Sequence, residues 1–194
     1  MTQITKYSSV KGSLQSIANK AGITVAQAFV NCEVVVLLDV SASMNTEDDY
    51  LTSVNTPSRY KKACNQLAKL QTDNPGKVCL ICFNDKQTFE PSGIARRPDG
   101  STNIAGALSF VHKADNTGLK FIVISDGEPD DDEAAIKIAR TFKSKIHTIY
   151  IGAEGGCGAD FLRRLSAATG GLFSNSGVAG IGQLSQTVQN LLTA

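Results

Sequence analysis

One stretch constrains the chain more than any other. Val34-Val-Val-Leu-Leu38 is an unbroken apolar run, β-branched residues and then leucine, and it stops abruptly at Asp39. Such a run without polar alternation suits a strand covered on both faces. After it come a carboxylate and two hydroxyls at alternate positions, Asp39, Ser41 and Ser43. A buried parallel strand delivers the loop that follows it to the carboxyl edge of the sheet, where open α/β folds bind ligands. Three hard oxygen donors there make half of a site for a hard divalent cation. The same residues would also serve as caps for a helix starting next, so these few residues leave both readings open.

The rest of the chain alternates strands with helices. Ser58 to Leu70 has Tyr60, Ala63, Leu67 and Leu70 at near-helical spacing, with Pro57 suited to a first helical position. Val78 to Phe83 reads as a second buried strand and Gln87 to Glu90 as an edge strand paired to it through a tight connection. Thr102 to Lys113 reads as a helix and Leu119 to Ile124 as a further buried strand ending at Ser125-Asp126-Gly127. The acidic run Asp130 to Glu133 opens a helix expected to reach Lys145, its negative charge matching the helix dipole. Ile146 to Ile151, Asp160 to Ala168, Gly171 to Ser174 and Ile181 to Leu192 read as strand, helix, strand and closing helix. This order predicts an α/β domain: a central, mostly parallel sheet with one antiparallel edge strand and helices on both faces.

Residues 1–32 differ in texture and are expected to form a helical arm before a main domain at 33–194. Leu14 to Ala21 has helical spacing ended by Gly22, and Thr24 caps a second helix through Ala26, Ala28, Phe29 and Val30. The pair is similar to a bacterial helix-turn-helix, but its second helix offers Gln27 and Asn31 and no Arg or Lys for phosphates. Packing against the main domain is the preferred reading; a DNA-associated regulator is an alternative.

Bulk properties exclude several classes. With 42% hydrophobic and 19% charged residues and a net charge of +1, the 194-residue chain has no electrostatic bias toward nucleic acid or anionic membranes. No apolar stretch reaches a membrane span and the N-terminus lacks a secretory apolar region, so a cytoplasmic location is expected. Five cysteines are too few and too scattered for a disulfide scaffold. Cys79 and Cys82 have CxxC spacing, but inside a strand they point to opposite faces, so they are expected to be buried structural thiols.

Two buried-strand ends, Asp39 and Asp126, and the helix opening at Thr102 should converge at one sheet edge. The candidate set is Asp39, Ser41, Ser43, Thr102 and Asp126, all oxygen donors, which suits Mg2+, with Mn2+ or Ca2+ able to replace it, and does not suit zinc or copper. In sequence, Asp39-Val-Ser41-Ala-Ser43, then Ser101-Thr102, then Ile124-Ser-Asp126-Gly127 resembles the von Willebrand factor A domain and its metal-ion-dependent adhesion site. The resemblance covers roughly residues 34–192. It implies a Rossmann-like three-layer fold in which Ser41, Ser43 and Thr102 ligate the ion and Asp39 and Asp126 act mostly through water. It further implies a protein partner whose Asp or Glu completes the coordination. Stand-alone intracellular members, mainly bacterial or viral, serve as adaptors or scaffolds in chelatase, AAA+ ATPase and stress-resistance assemblies. Many relatives carry glycine where this chain has Ala42, which removes no ligand. The acidic stretch from Asn45 to Asn55 is read as a solvated loop.

Catalysis is the rival reading. Ser41 or Ser43 as a nucleophile would need a base, and His112 and His147 are expected inside a helix and at a strand start, away from the site. There is no GxSxG elbow, and a Mg2+-dependent phosphatase would want an aspartyl nucleophile with a lysine rather than hydroxyls after Asp39. The glycines between Gly152 and Gly158 do not match the dinucleotide-binding spacing. The expectation is a non-enzymatic, metal-dependent protein-binding module.

Overall fold

The computed structural model describes residues 8–47, 57–153, 156–175 and 190. Its centre is a sheet of six strands: β1 (Val34–Asp39), β2 (Val78–Phe83), β3 (Gln87–Phe89), β4 (Lys120–Ser125), β5 (Ile146–Tyr150) and β6 (Phe173–Asn175). They lie in the order β3-β2-β1-β4-β5-β6, all parallel except β3, which pairs antiparallel with β2. The expected mostly parallel sheet with one antiparallel edge strand is thus observed. Every residue of β1 and β2 is buried, because helices cover both sides.

Alternation along the strands divides the interior in two. Val35, Leu37, Cys79, Ile81, Phe121 and Val123 face one side, where they meet helices α1 (Leu14–Ala21), α4 (Ile104–Val111), α5 (Asp132–Ala139) and α6 (Gly158–Ala167). Val34, Val36, Leu38, Leu80, Cys82 and Ile122 face the other, where Ala63, Leu67 and Leu70 of α3 (Arg59–Asp73) cover them. Cys79 and Cys82 therefore fall in opposite layers, both buried, as the period of a strand requires.

The N-terminal helices are capped as their sequence indicates. Ser13 caps α1, Gly22 ends it at φ 67°, and Thr24 and Gln27 form a reciprocal capping box on the short α2 (Val25–Phe29). Leu14, Ala18 and Ala28 are buried in the same apolar cluster as the sheet. Backbone bonds from Val10 to Ser92, Gln15 to Pro91 and Gly76 to Gly12 tie this region to the main body.

Three expectations need correction. Helix α5 ends at Ala139 rather than Lys145. Thr141 Oγ1 turns back onto the Ile138 carbonyl, and buried Asp115 accepts from the backbone N–H groups of Lys143 and Ser144, which makes the bend better bonded than a continued helix. Helix α4 starts at Ile104, not Thr102, because Asn103 takes the N-cap and accepts from Gly106 N at 2.7 Å. Pro57 precedes the N-cap Ser58 rather than occupying the first helical position of α3. The closing helix expected over Ile181–Leu192, and most of the Asn45–Asn55 stretch, lie outside the described residues.

Candidate functional site

The strand order reverses direction between β1 and β4, the point where an open parallel sheet leaves a crevice at its carboxyl edge. Leu38 is in register with Ile124, so Asp39 ends β1 beside Ser125, with Asp126 one step beyond. Asp39 is wholly buried and its two oxygens are both used. Oδ1 accepts from Ser41 N at 2.8 Å, and Oδ2 accepts from the Ser125 hydroxyl at 2.6 Å. Ser125 Oγ in turn accepts from Gly127 N at 2.8 Å. The end of β1 and the loop after β4 are thereby joined through one hydroxyl.

After Asp39 the chain enters a short 3-10 turn over Ala42–Asn45, with Ser41 at its N-cap position but making no side-chain cap bond. The capping alternative for Ser41 is therefore not what its hydroxyl does. It lies 3.0 Å from Ser43 Oγ instead. Met44, fully buried against the α3 face, anchors the turn.

Thr102 reaches the same edge through backbone bonds. Ala42 N donates to the Gly100 carbonyl at 3.1 Å, and Asp99 N to the Val40 carbonyl at 2.9 Å. On its other side, Asp130 N donates to the Thr102 carbonyl at 3.1 Å, and Thr102 N to Asp130 Oδ1 at 3.2 Å. Ser101 Oγ also donates to Asp130 and to Asp85. The structure thus brings Asp39, Ser41, Ser43 and Asp126 into one cluster and stitches the Thr102 loop to both of its flanks.

Asp126 is buried and its two oxygens differ. Oδ2 accepts from Arg59 Nη1 at 2.9 Å, whereas Oδ1 is buried with no hydrogen-bond donor among the described residues. Burial pushes the Asp39 carboxyl up to about 6, against hydrogen bonds from Ser125 and Ser41 that hold it down, and the neighbouring Asp126 charge adds to the rise. A buried carboxylate oxygen with no donor among the described residues, close enough to Asp39 to raise its carboxyl, is an arrangement that a hard cation would relieve. Among the described residues no cluster of three or more His, Cys, Asp or Glu stands ready for a metal, so an ion at this edge would draw on the hydroxyls as well as the two carboxylates.

Sequence reasoning did not find Arg59, Ser125 or Asp130 as parts of this edge. Ser125 is signalled only by its place before Asp126. Asp130 reads as helix-dipole charge, yet Asp131 is the N-cap of α5 and Asp130 braces the Thr102 loop. Arg59 has no local signal, because its partner is remote in the chain. Of the histidines, His112 follows α4 directly as the first residue of a 3-10 helix (His112–Thr117) and bonds Thr141, and His147 lies near the start of β5, where its Nδ1 accepts from Leu172 N at 3.1 Å.

A close backbone approach fixes the Asp126 loop from beneath. Gly127 has φ 78°, and a Cβ there would lie 2.2 Å from the carbonyl oxygen of Gly158, the first residue of α6. Only glycine allows that contact. Beside the site, Lys86, Arg96, Arg97, Asp85 and Asp99 line a polar pocket of about 380 Å3 that reaches Val40.

No protein-family model and no curated protein sequence matches the chain. Solved structures do. The manganese-loaded TRAP protein of Plasmodium vivax superposes with a TM-score of 0.58 at 17% identity, over 84% of this chain and 74% of that one. A von Willebrand factor type A structure from Catenulispora acidiphila gives 0.58 at 15% identity, and the PilB minor pilin of Streptococcus sanguinis 0.57 at 13%. Each of these covers 84% of this chain, but only 42% and 61% of those two, so the chain spans less than two thirds of either. What is shared at such identities is architecture, and the architecture of this chain is a three-layer α/β fold of the von Willebrand factor A type.

Proposed function

We propose that the chain is a divalent-cation-dependent protein-binding module. Asp39, Ser41, Ser43, Thr102 and Asp126 would hold Mg2+, or Mn2+ or Ca2+ in its place, and the ion would present a positive centre to an Asp or Glu of a partner protein. The observation that carries this reading is the buried Oδ1 of Asp126, without a donor among the described residues, at the sheet edge that also holds Asp39 and the Ser41–Ser43 hydroxyl pair. Two carboxylates already engaged by Ser41, Ser125 and Arg59 leave a bound ion short of negative charge, which favours an incoming anion.

The proposed role is non-catalytic, with an adaptor or scaffold place in a cytoplasmic assembly, an AAA+ ATPase or stress-resistance system being the class suggested by the sequence resemblance. Partner capture from host lysate, run with Mg2+ and with EDTA on parent, Asp39→Ala and Thr102→Ala proteins, tests it. The expected outcome is a partner held only by the parent with Mg2+. Equal retention in every lane would move the binding surface off this edge.

A further inference from the structure

Arg59 is an unusual residue for its position. It is the first residue of α3, where the helix dipole disfavours a positive charge. Its backbone N–H donates to the Thr46 carbonyl at 3.0 Å, and Thr46 N donates to Ser43 O at 2.9 Å, so the helix start is tied to the Ser41–Ser43 turn. Its guanidinium reaches across to Asp126 Oδ2, with side-chain exposures of 15% for Arg59 and 1% for Asp126. The cation therefore sits against its own helix dipole, and one of its partners is a carboxylate of the candidate metal site. A local rule broken in this way marks a position set by the site rather than by the helix.

Resting on the metal-site reading above, we propose that Arg59 is the site's resident counter-ion. It holds Asp126 in the ion-free protein and competes with an entering divalent cation for the charge of that carboxylate. Asp39 and Asp126 bring two negative charges to the edge, and Arg59 returns one positive charge. A cation drawing on Asp126 must share the carboxylate with the guanidinium or displace it, and in a site this dry the two positive charges repel strongly. Ion affinity is thereby held down.

The test is a Mn2+ titration by calorimetry on parent, Arg59→Met and Asp39→Ala proteins, with melting curves of each in EDTA and in saturating Mn2+. Arg59→Met is expected to bind Mn2+ about tenfold or more tightly than the parent. It should melt below the parent in EDTA, because Asp126 has lost its cation, and gain more from Mn2+. If the parent binds, Asp39→Ala does not, and Arg59→Met binds no better than the parent, the metal site stands and the counter-ion role falls. If none of the three binds Mn2+, both readings fall. Should Arg59→Met fail to fold, the parent alone decides. Its Arg59 guanidinium resonance, assigned by its loss in Arg59→Lys, must shift on adding Mg2+; an unmoved resonance overturns the proposal.

Discussion

Replacing Asp39 by Asn separates what this residue does for the fold from what it does for an ion. In EDTA the parent carries a wholly buried carboxylate whose pKa stands at about 6 instead of the ordinary 3.8. The folded state binds the proton more tightly than the unfolded one, so the Asp39 contribution is most favourable below pH 3.8 and is lost as the pH rises through 6. Above that range the ionised group costs roughly 3 kcal/mol relative to its neutral form. Asn removes that cost and keeps an acceptor for Ser41 N, but its amide faces Ser125 Oγ, whose own proton then lacks an acceptor, at a cost of about 1–2 kcal/mol.

The two effects oppose each other, and pH selects the winner. At pH 8 in EDTA, Asp39→Asn should be more stable than the parent by about 1–2 kcal/mol, a rise of roughly 2–8 °C in Tm for a domain of this size. At pH 4 the parent is largely neutral and the variant should be the less stable by about 1 kcal/mol. Urea unfolding at the two pH values measures both differences. A stability difference that keeps one sign and size across pH 4 to 8 would refute the argument, since it would mean that Asp39 carries no burial penalty in the native state.

Two further outcomes concern the opposite edge of the sheet. Asp115 is buried; burial raises its carboxyl, but hydrogen bonds from the Lys143 and Ser144 backbone outweigh this and leave it below the ordinary carboxylate range. Its contribution is present above the unfolded pKa and lost as the pH falls, and Asp115→Ala should cost about 1–3 kcal/mol in urea unfolding at pH 7, with a smaller loss at pH 3. His147 is held below its ordinary 6.5 by burial and by Lys120 and Lys145, so its neutral form stabilises the fold above pH 6.5 and is lost as the pH falls. His147→Gln should therefore lose less stability than the parent between pH 7.5 and 5.5, measured by the urea midpoint.

Fold and site were not equally legible in the sequence. The apolar runs at Val34–Leu38, Val78–Phe83 and Phe121–Ile124 declare doubly covered strands, because a strand buried on both faces cannot alternate. Asp39 and Asp126 were visible because each breaks such a run. Helix ends were less visible where a side chain from elsewhere decides them: Asp115 bends the chain after α5, and neither Lys143 nor Ser144 advertises that distant acceptor. The same reason hid Arg59, whose place at a helix start argues against a cation until Asp126 is seen opposite it. Thr102 read as the opening of a helix; the cap at Asn103 and the bonds to Asp130 show that it belongs to the loop before it.

The contact of Gly127 with Gly158 joins two elements as well as fixing the geometry of each. Two backbones meet there with no side chain between them, so there is no compressible spacer to absorb a displacement. The start of α6 and the loop bearing Asp126 are therefore held against each other by direct backbone contact. Through Arg164, which bonds Asp132 and Glu133 at 3.1 and 2.7 Å, the first turn of α5 is geared to the same helix. A side chain at either glycine would have to part the two backbones, and the loop that carries Asp126 at the carboxyl edge of β4 would have to shift with them.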